Sequence, residues 1–195
     1  MPEVRLLGVP SVHDGGDPVR AGRGDRLART LLLPLVIVLL TVIAMFYVLF
    51  DTSQVQGPSM LPTLLEGDRL LLTKGYASPR HGDVVVFIID EQGAPTEIVK
   101  RVVAVAGDTV EVFGDKVLVN GRSESSLYPV IIGSDTTHIV PQIVRAGSVF
   151  VMGDDRPVSL DSRYIGPLPL TTAHGRVAAI FAPIGRMRVV PSGLD

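Results

Sequence analysis

Thr109-Val110-Glu111-Val112-Phe113-Gly114-Asp115-Lys116-Val117-Leu118-Val119 is a pair of short alternating runs around a two-residue Gly-Asp step. A period of two marks a half-buried strand, and a two-residue loop of this composition joins two such strands antiparallel. Asn120-Gly121 follows at once as a second turn signal. The stretch predicts a β-hairpin. Outward from it the same signal recurs: Arg69-Leu70-Leu71-Leu72-Thr73, Asp83-Val84-Val85-Val86-Phe87-Ile88-Ile89, residues 98–105, 149–152 and 176–181 are short apolar runs bounded by Gly, Pro and Asp. Such runs read as strands. No amphipathic helix is apparent, and residues 122–147 look like a loop or ill-defined ribbon. The expected fold is all-β, mostly antiparallel, with one exception at the N-terminus.

That exception is residues 30–50, TLLLPLVIVLLTVIAMFYVLF, 21 residues without a charge. At about 1.5 Å per residue, a helix of this length spans the roughly 30 Å hydrocarbon core of a bilayer. Pro34 falls in the first turns, where a missing N–H costs least. A buried core helix and a cleaved signal sequence are the alternatives. The run is longer than a secretory apolar region and ends in Phe-Tyr-Val-Leu-Phe-Asp without small residues for a cut. A single retained transmembrane helix is the expectation. Arg20, Arg23, Arg26 and Arg29 precede it, and the next basic residue is Arg69. The positive-inside rule therefore puts the N-terminus in the cytoplasm. The expected division is a disordered cytoplasmic tail over 1–29, an anchor over 30–50 and an extracytoplasmic β-rich domain over 51–195, with a small insertion at about 114–147.

Composition narrows the function. The chain has 195 residues, 46% of them hydrophobic, and a net charge of −2, so there is no basic footprint for nucleic acid. Without cysteine there is no disulfide, thiolate metal ligand or thiol nucleophile. Among His13, His81, His138 and His174 none falls in a ligand or catalytic spacing, and Asp154, Asp155 and Asp161 do not match a calcium loop. No metal site and no cofactor is expected.

Three stretches could carry chemistry. Gly57-Pro58-Ser59-Met60-Leu61-Pro62-Thr63 can be neither helix nor central strand, since both prolines fix φ and lack an N–H. It is either a proline-rich linker or a rigid loop that presents the Ser59 hydroxyl. Strand alternation puts Ile98, Lys100, Val102 and Ala104 on one face, and Glu97, Val99, Arg101, Val103 and Val105 on the other. Lys100 is then the one polar residue on its face. Desolvation lowers a lysine pKa and makes the amine a competent base, whereas an edge-strand lysine simply snorkels; periodicity leaves both readings open. The third stretch, Gly153-Asp154-Asp155-Arg156-Pro157-Val158-Ser159-Leu160-Asp161-Ser162-Arg163, reads as a solvated turn or as a hydrogen-bonded frame.

Together these blocks resemble bacterial type I signal peptidases, membrane-anchored endopeptidases with a serine–lysine dyad. The resemblance runs from about Gln56 to Pro183 through Gly57 to Leu64, Gly67-Asp68, Gly82 to Phe87, Val99 to Asp108 and Gly153 to Gly166, in the family's order. It implies that Ser59 is the nucleophile and Lys100 the general base. It implies further that Ser159 helps hold the lysine, that Asp161, Arg163 and Asp154 support the site, and that main-chain N–H groups near Gly57 and Ser59 form the oxyanion hole. Pro58 and Met60 are then expected to touch substrate. Some family members have serine at the position of Gly57, and the family usually has Asn at Asp155, and Gly and Pro at Ala104 and Ala106; these departures bear on loop geometry. The implied activity is removal of signal peptides after Ala-x-Ala on the outer side of the cytoplasmic membrane. Exported preproteins, the lipid bilayer and the secretion translocase are the implied partners. A tethered β-domain that binds exported chains without catalysis, or a serine–lysine peptidase dedicated to one substrate, are the competing readings.

Overall fold

The structure is a computed structural model that describes residues 23–91, 93–124 and 128–191, with side chains from residue 29 onward in the N-terminal helix. It divides into two compact units, residues 1–43 and 44–195. Helix α1, Arg23–Leu49, dominates the first, and its stretch Arg29–Leu49 is long and apolar enough to cross a membrane. The helix starts earlier than the charge-free run, so residues 23–29, expected in a disordered tail, are helical. Leu, Ala and Arg are good helix formers, and extending an existing helix is far easier than nucleating one. The rest of the expected tail, including His13 and Arg20, lies outside the described residues. At the other end the helix stops at Leu49, and Phe50 begins strand β1, Phe50–Gln54.

The second unit is built on antiparallel strands, as the hairpin reading requires. Its large sheet contains β1, β2 (Arg69–Thr73), β3 (Val84–Glu91), β4 (Ala94–Ala104), β9 (Ser148–Met152), β10 (Leu168–Pro169), β11 (Ala173–Ala182) and β12 (Arg188–Val189). They run in the order β1-β2-β11-β3-β4-β9-β10, with β12 on β11. A second sheet, ordered β7-β6-β5-β8, comprises β5 (Thr109–Phe113), β6 (Lys116–Val119), β7 (Arg122–Ser123) and β8 (His138–Ile143). Within it β5 and β6 pair from Val110↔Val119 to Phe113↔Lys116 around the Gly114-Asp115 turn.

Three apolar clusters hold the sheets. Val55, Met60, Leu64, Leu70, Leu72, Val84 and Val86 form the one beneath β1 and β2, with Val99 packed against it. Val85, Phe87, Val102 and Val151 form another. Val103, Ala104, Val110, Val112, Val117 and Phe150 join the small sheet to the large one. Val103 and Ala104 thus share a cluster, which strict alternation along β4 forbids. The cause is a register shift where β4 meets β9, between Val102 and Ala104: the extra residue turns the last side chain over.

Candidate active site

The loop after β1 is fixed from inside the protein. Gly57 has φ +80°, a left-handed conformation in which any side chain is strained, and this bend sets the direction of the next three residues. Leu61 N–H donates to the Pro58 carbonyl (2.9 Å) and Leu64 N–H to the Met60 carbonyl (2.8 Å). Met60 and Leu64 are the loop's apolar anchors, 1% and 0% exposed. Just before them the Ser59 carbonyl accepts from Asp155 N–H at 3.0 Å, which ties this loop to the 153–163 cluster. Pro58 is exposed.

Lys100 comes to this loop from β4. Its Nζ lies 2.9 Å from Ser59 Oγ, at hydrogen-bond distance, although 41 residues separate the two. The side chain is 4% exposed. Burial is the main force on its proton affinity and pushes the amine below its ordinary value. The Arg163 charge pushes in the same direction, and the Asp161 and Asp154 carboxylates oppose it without cancelling it. A buried primary amine with weakened proton affinity, touching a hydroxyl, can accept that hydroxyl's proton.

The cluster at 153–163 is a frame. Asp154 is fully buried and takes Arg101 in a two-point grip, Nε to Oδ1 at 2.7 Å and Nη2 to Oδ2 at 2.6 Å, and also accepts from Thr63 Oγ1. Asp161 caps the four-residue helix α2, Ser162–Ile165, by accepting from Arg163 N–H, and its Oδ2 accepts from Gly153 N–H at 3.1 Å. Arg163 bonds Asp161, Asp115 and Asp135 at 2.8–2.9 Å. Gly153 sits so close to the Ser59 carbonyl and Ser159 Oγ that a Cβ there collides with both. Ser159 Oγ accepts from Gly153 N–H at 3.1 Å. The hydrogen bond of Lys100 goes to Ser59, and none joins it to Ser159, the contact implied by the resemblance.

Several participants escape sequence reasoning. Arg101, 5% exposed, donates to the Gly82 carbonyl and stacks 4.2 Å from the Tyr128 ring centre, besides gripping Asp154. An arginine inside an apolar strand demands a carboxylate, and that was the available signal. Two histidines also have carboxylate partners: His81 Nε2 lies 2.7 Å from Asp108 Oδ2, and His174 Nε2 lies 3.3 Å from Asp51 Oδ2. These contacts join residues far apart in sequence, and no local spacing announces them. Neither histidine lines the cavity at Ser59.

That cavity is a groove of about 390 Å³. One wall is the end of β1 and its continuation, residues 53–56; the other is residues 95–100 of β4; Ser59, Met60 and Lys100 are at one end. Met60 therefore reaches the groove, while Pro58 is not in its lining.

Comparison with known proteins gives the chain's family. The family model for signal peptidase, peptidase S26, matches residues 28–182, most of the chain. The chain belongs to the S26 signal peptidases. It is 35% identical over 146 residues to a signal peptidase I of Leptolyngbya laminosa, covering 70% of this chain and 71% of that one. With signal peptidase I P of Bacillus subtilis subsp. natto the identity is 34% over 166 residues, 77% of this chain and 89% of the relative. A crystal structure of a signal peptidase I from Enterococcus faecalis matches with a TM-score of 0.40 at 26% identity, over 53% of this chain and 99% of that one; so low a score adds nothing to the fold described above. Membership makes the chain a serine peptidase of the signal peptidase I type, and its substrates are preproteins carrying signal peptides.

Proposed function

We propose that Ser59 is the nucleophile and Lys100 the general base of this peptidase. The observation that carries the reading is the 2.9 Å separation of Nζ and Oγ at a lysine that is 4% exposed. The neutral amine takes the Ser59 proton as Oγ bonds to the substrate carbonyl carbon, giving a tetrahedral oxyanion. Collapse breaks the C–N bond while the ammonium returns its proton to the leaving amine, and water then cleaves the acyl-enzyme by the same relay. Main-chain N–H groups of the Gly57–Ser59 bend stabilise the oxyanion; one such donor contributes about 3–4 kcal/mol in enzymes of this kind. Asp154, Asp161, Arg163 and Ser159 act as positioning residues, through Arg101 and through the Gly153 backbone.

Substrate binding follows from the walls of the groove. Among the described residues β1 pairs with β2 alone, and residues 94–100 of β4 pair with β3 alone, so each presents an unpaired edge. An extended preprotein segment laid between these edges supplies the missing strand, held by main-chain hydrogen bonds. Val55, Met60 and Val99 line the groove beside Ser59 and suit a small apolar side chain at the residue just before the cut, as Ala-x-Ala requires.

The stretch Arg29–Leu49 of α1 is the membrane anchor in this reading, with the N-terminal arginines cytoplasmic and the domain over 51–195 on the outer side. The bilayer and the secretion translocase are then its surroundings. Ser59→Ala and Lys100→Ala are each expected to abolish cleavage of a preprotein by the purified full chain while leaving its circular dichroism unchanged. Substantial turnover by either variant removes the dyad.

A further inference from the structure

Arg101 is held by Asp154, Arg156 by Glu124, Arg163 by Asp161 and Arg186 by Asp68. Arg176 differs. It stands on β11 opposite Thr73 of β2 and Val85 of β3, so its stem lies on the face of the apolar cluster that contains Val85 and has Tyr76 packed against it. The residue is half-buried, and among the described residues no hydrogen bond or ion pair reaches its guanidinium. A cation withdrawn from water without an anion is an expensive arrangement. Arg176 lines a cavity of about 360 Å³ with residues 73–78, Arg80 and Asp83. Asp83 is buried and accepts from the Tyr76 hydroxyl at 2.8 Å and from Arg80 N–H at 3.1 Å. Lys74 is bridged to Asp51 at 3.3 Å. The Arg176 charge is left unmet. The cavity lies where the apolar span ends: Lys74 N–H donates to the Leu49 carbonyl (2.9 Å) and Lys74 Nζ to the Tyr47 carbonyl (3.1 Å), which ties the loop after β2 to the last turn of α1. At the end of a membrane-spanning helix, tyrosine and a snorkelling lysine mark the headgroup level.

We propose that this cavity binds the phosphate of an anionic lipid of the outer leaflet, with Arg176 as the principal ligand and Lys74 at the rim. The inference rests on the reading of Arg29–Leu49 as a membrane anchor. A guanidinium presents a planar fork of donors that matches two phosphate oxygens at once, and partial withdrawal from water strengthens the attraction. The phosphate of phosphatidylglycerol brings a net negative charge to the site. Phosphatidylcholine carries its own ammonium group, which the lining of Lys74, Arg80 and Arg176 repels. Discrimination between the two lipids therefore comes from charge, and the fork of Arg176 gives it a fixed position.

The test reconstitutes the full chain into vesicles of mixed phosphatidylcholine and phosphatidylglycerol, solubilises them in mild detergent and counts the lipids that copurify with the protein. Phosphatidylglycerol is expected to be enriched about tenfold over its share of the vesicle, the size of one charge-assisted hydrogen bond. Arg176→Gln is expected to lose the enrichment, and Arg176→Lys, which keeps the charge without the fork, to retain part of it. Arg145→Gln removes an exposed arginine between β8 and β9 and is expected to retain all of it. Circular dichroism confirms that each variant is folded. Inorganic phosphate in place of chloride, at equal ionic strength, is expected to change nothing, because the acyl chains hold the lipid phosphate at the site. Wild type without enrichment, equal enrichment in Arg176→Gln, or a matching loss in Arg145→Gln overturns the lipid site and leaves the anchor standing. Enrichment abolished by inorganic phosphate overturns the lipid as the source of the anion. A wild-type chain that an alkaline wash strips from phosphatidylcholine vesicles overturns the anchor and the site together.

Discussion

Lys100 and Arg101 are neighbours on β4, both cationic by type and both buried, at 4% and 5% exposure. Their surroundings differ in one respect. Arg101 has a fully buried carboxylate in its grip, a main-chain carbonyl, a hydroxyl and an aromatic face. Lys100 has a serine hydroxyl and, among the described residues, no carboxylate hydrogen-bonded to it. The first arrangement stabilises a permanent charge; the second disfavours charge at a group able to give it up. Adjacent positions on one strand thus separate structure from chemistry by the partner each is given.

The sharpest way to break this contrast is to put a permanent cation at the chemical position. Lys100→Arg keeps a long basic side chain that cannot act as a base at any working pH. Since a general base contributes about 10²- to 10⁴-fold, kcat is expected to fall by at least that much, with the fold retained. Cleavage of a preprotein followed by gel shift measures it, and a loss of less than tenfold means that Lys100 is not the base.

The complementary change strips the partner from the structural position. Asp154→Asn preserves shape but leaves the Arg101 charge uncompensated in the interior. Removing one member of a buried pair costs about 3–5 kcal/mol, so the midpoint of chemical denaturation in micelles should fall steeply. Activity of the fraction that remains folded should fall less than in Lys100→Arg. A variant as stable as wild type shows that the hydroxyl, carbonyl and ring contacts suffice for Arg101.

The contrast was half legible in the chain. Alternation placed Lys100 alone on an apolar face, and local period plus a Gly-Asp turn was enough for the β5–β6 hairpin, because both signals act over a few residues. Arg101's partner was not legible, since Asp154 is 53 residues away and its neighbours Asp155 and Asp161 look equally suitable. β1 was missed because Phe-Asp-Thr-Ser-Gln has no apolar alternation; its place at the sheet edge comes from pairing with β2. The groove was invisible for the same reason, as its two walls meet only after the large sheet brings residues 53–56 opposite residues 95–100. β8 was blurred by Pro141 and by a largely exposed run with one half-buried residue, the pattern of a sheet margin. The family resemblance links Ser159 to the lysine; the hydrogen bond its hydroxyl accepts from Gly153 N–H is a contact that no local spacing announces.

A smaller effect tests the titration itself. Burial holds the Lys100 amine below its ordinary value of 10.5, so activity should rise with pH on a limb that ends below that value, as the free base forms. The same displacement has a cost to folding. Between the lowered pKa and 10.5 the unfolded chain binds a proton that the folded site has released, and by linkage stability must climb with pH across that window. Lys100→Met removes the titrating group and keeps the stem. It is expected to be inactive and modestly more stable than wild type, with a gain that shrinks as pH approaches 10.5. Denaturation midpoints of both proteins across the alkaline range measure the difference. A destabilised Lys100→Met, or a gain independent of pH, means that the amine is paired as well as its neighbour, and the distinction between positions 100 and 101 disappears.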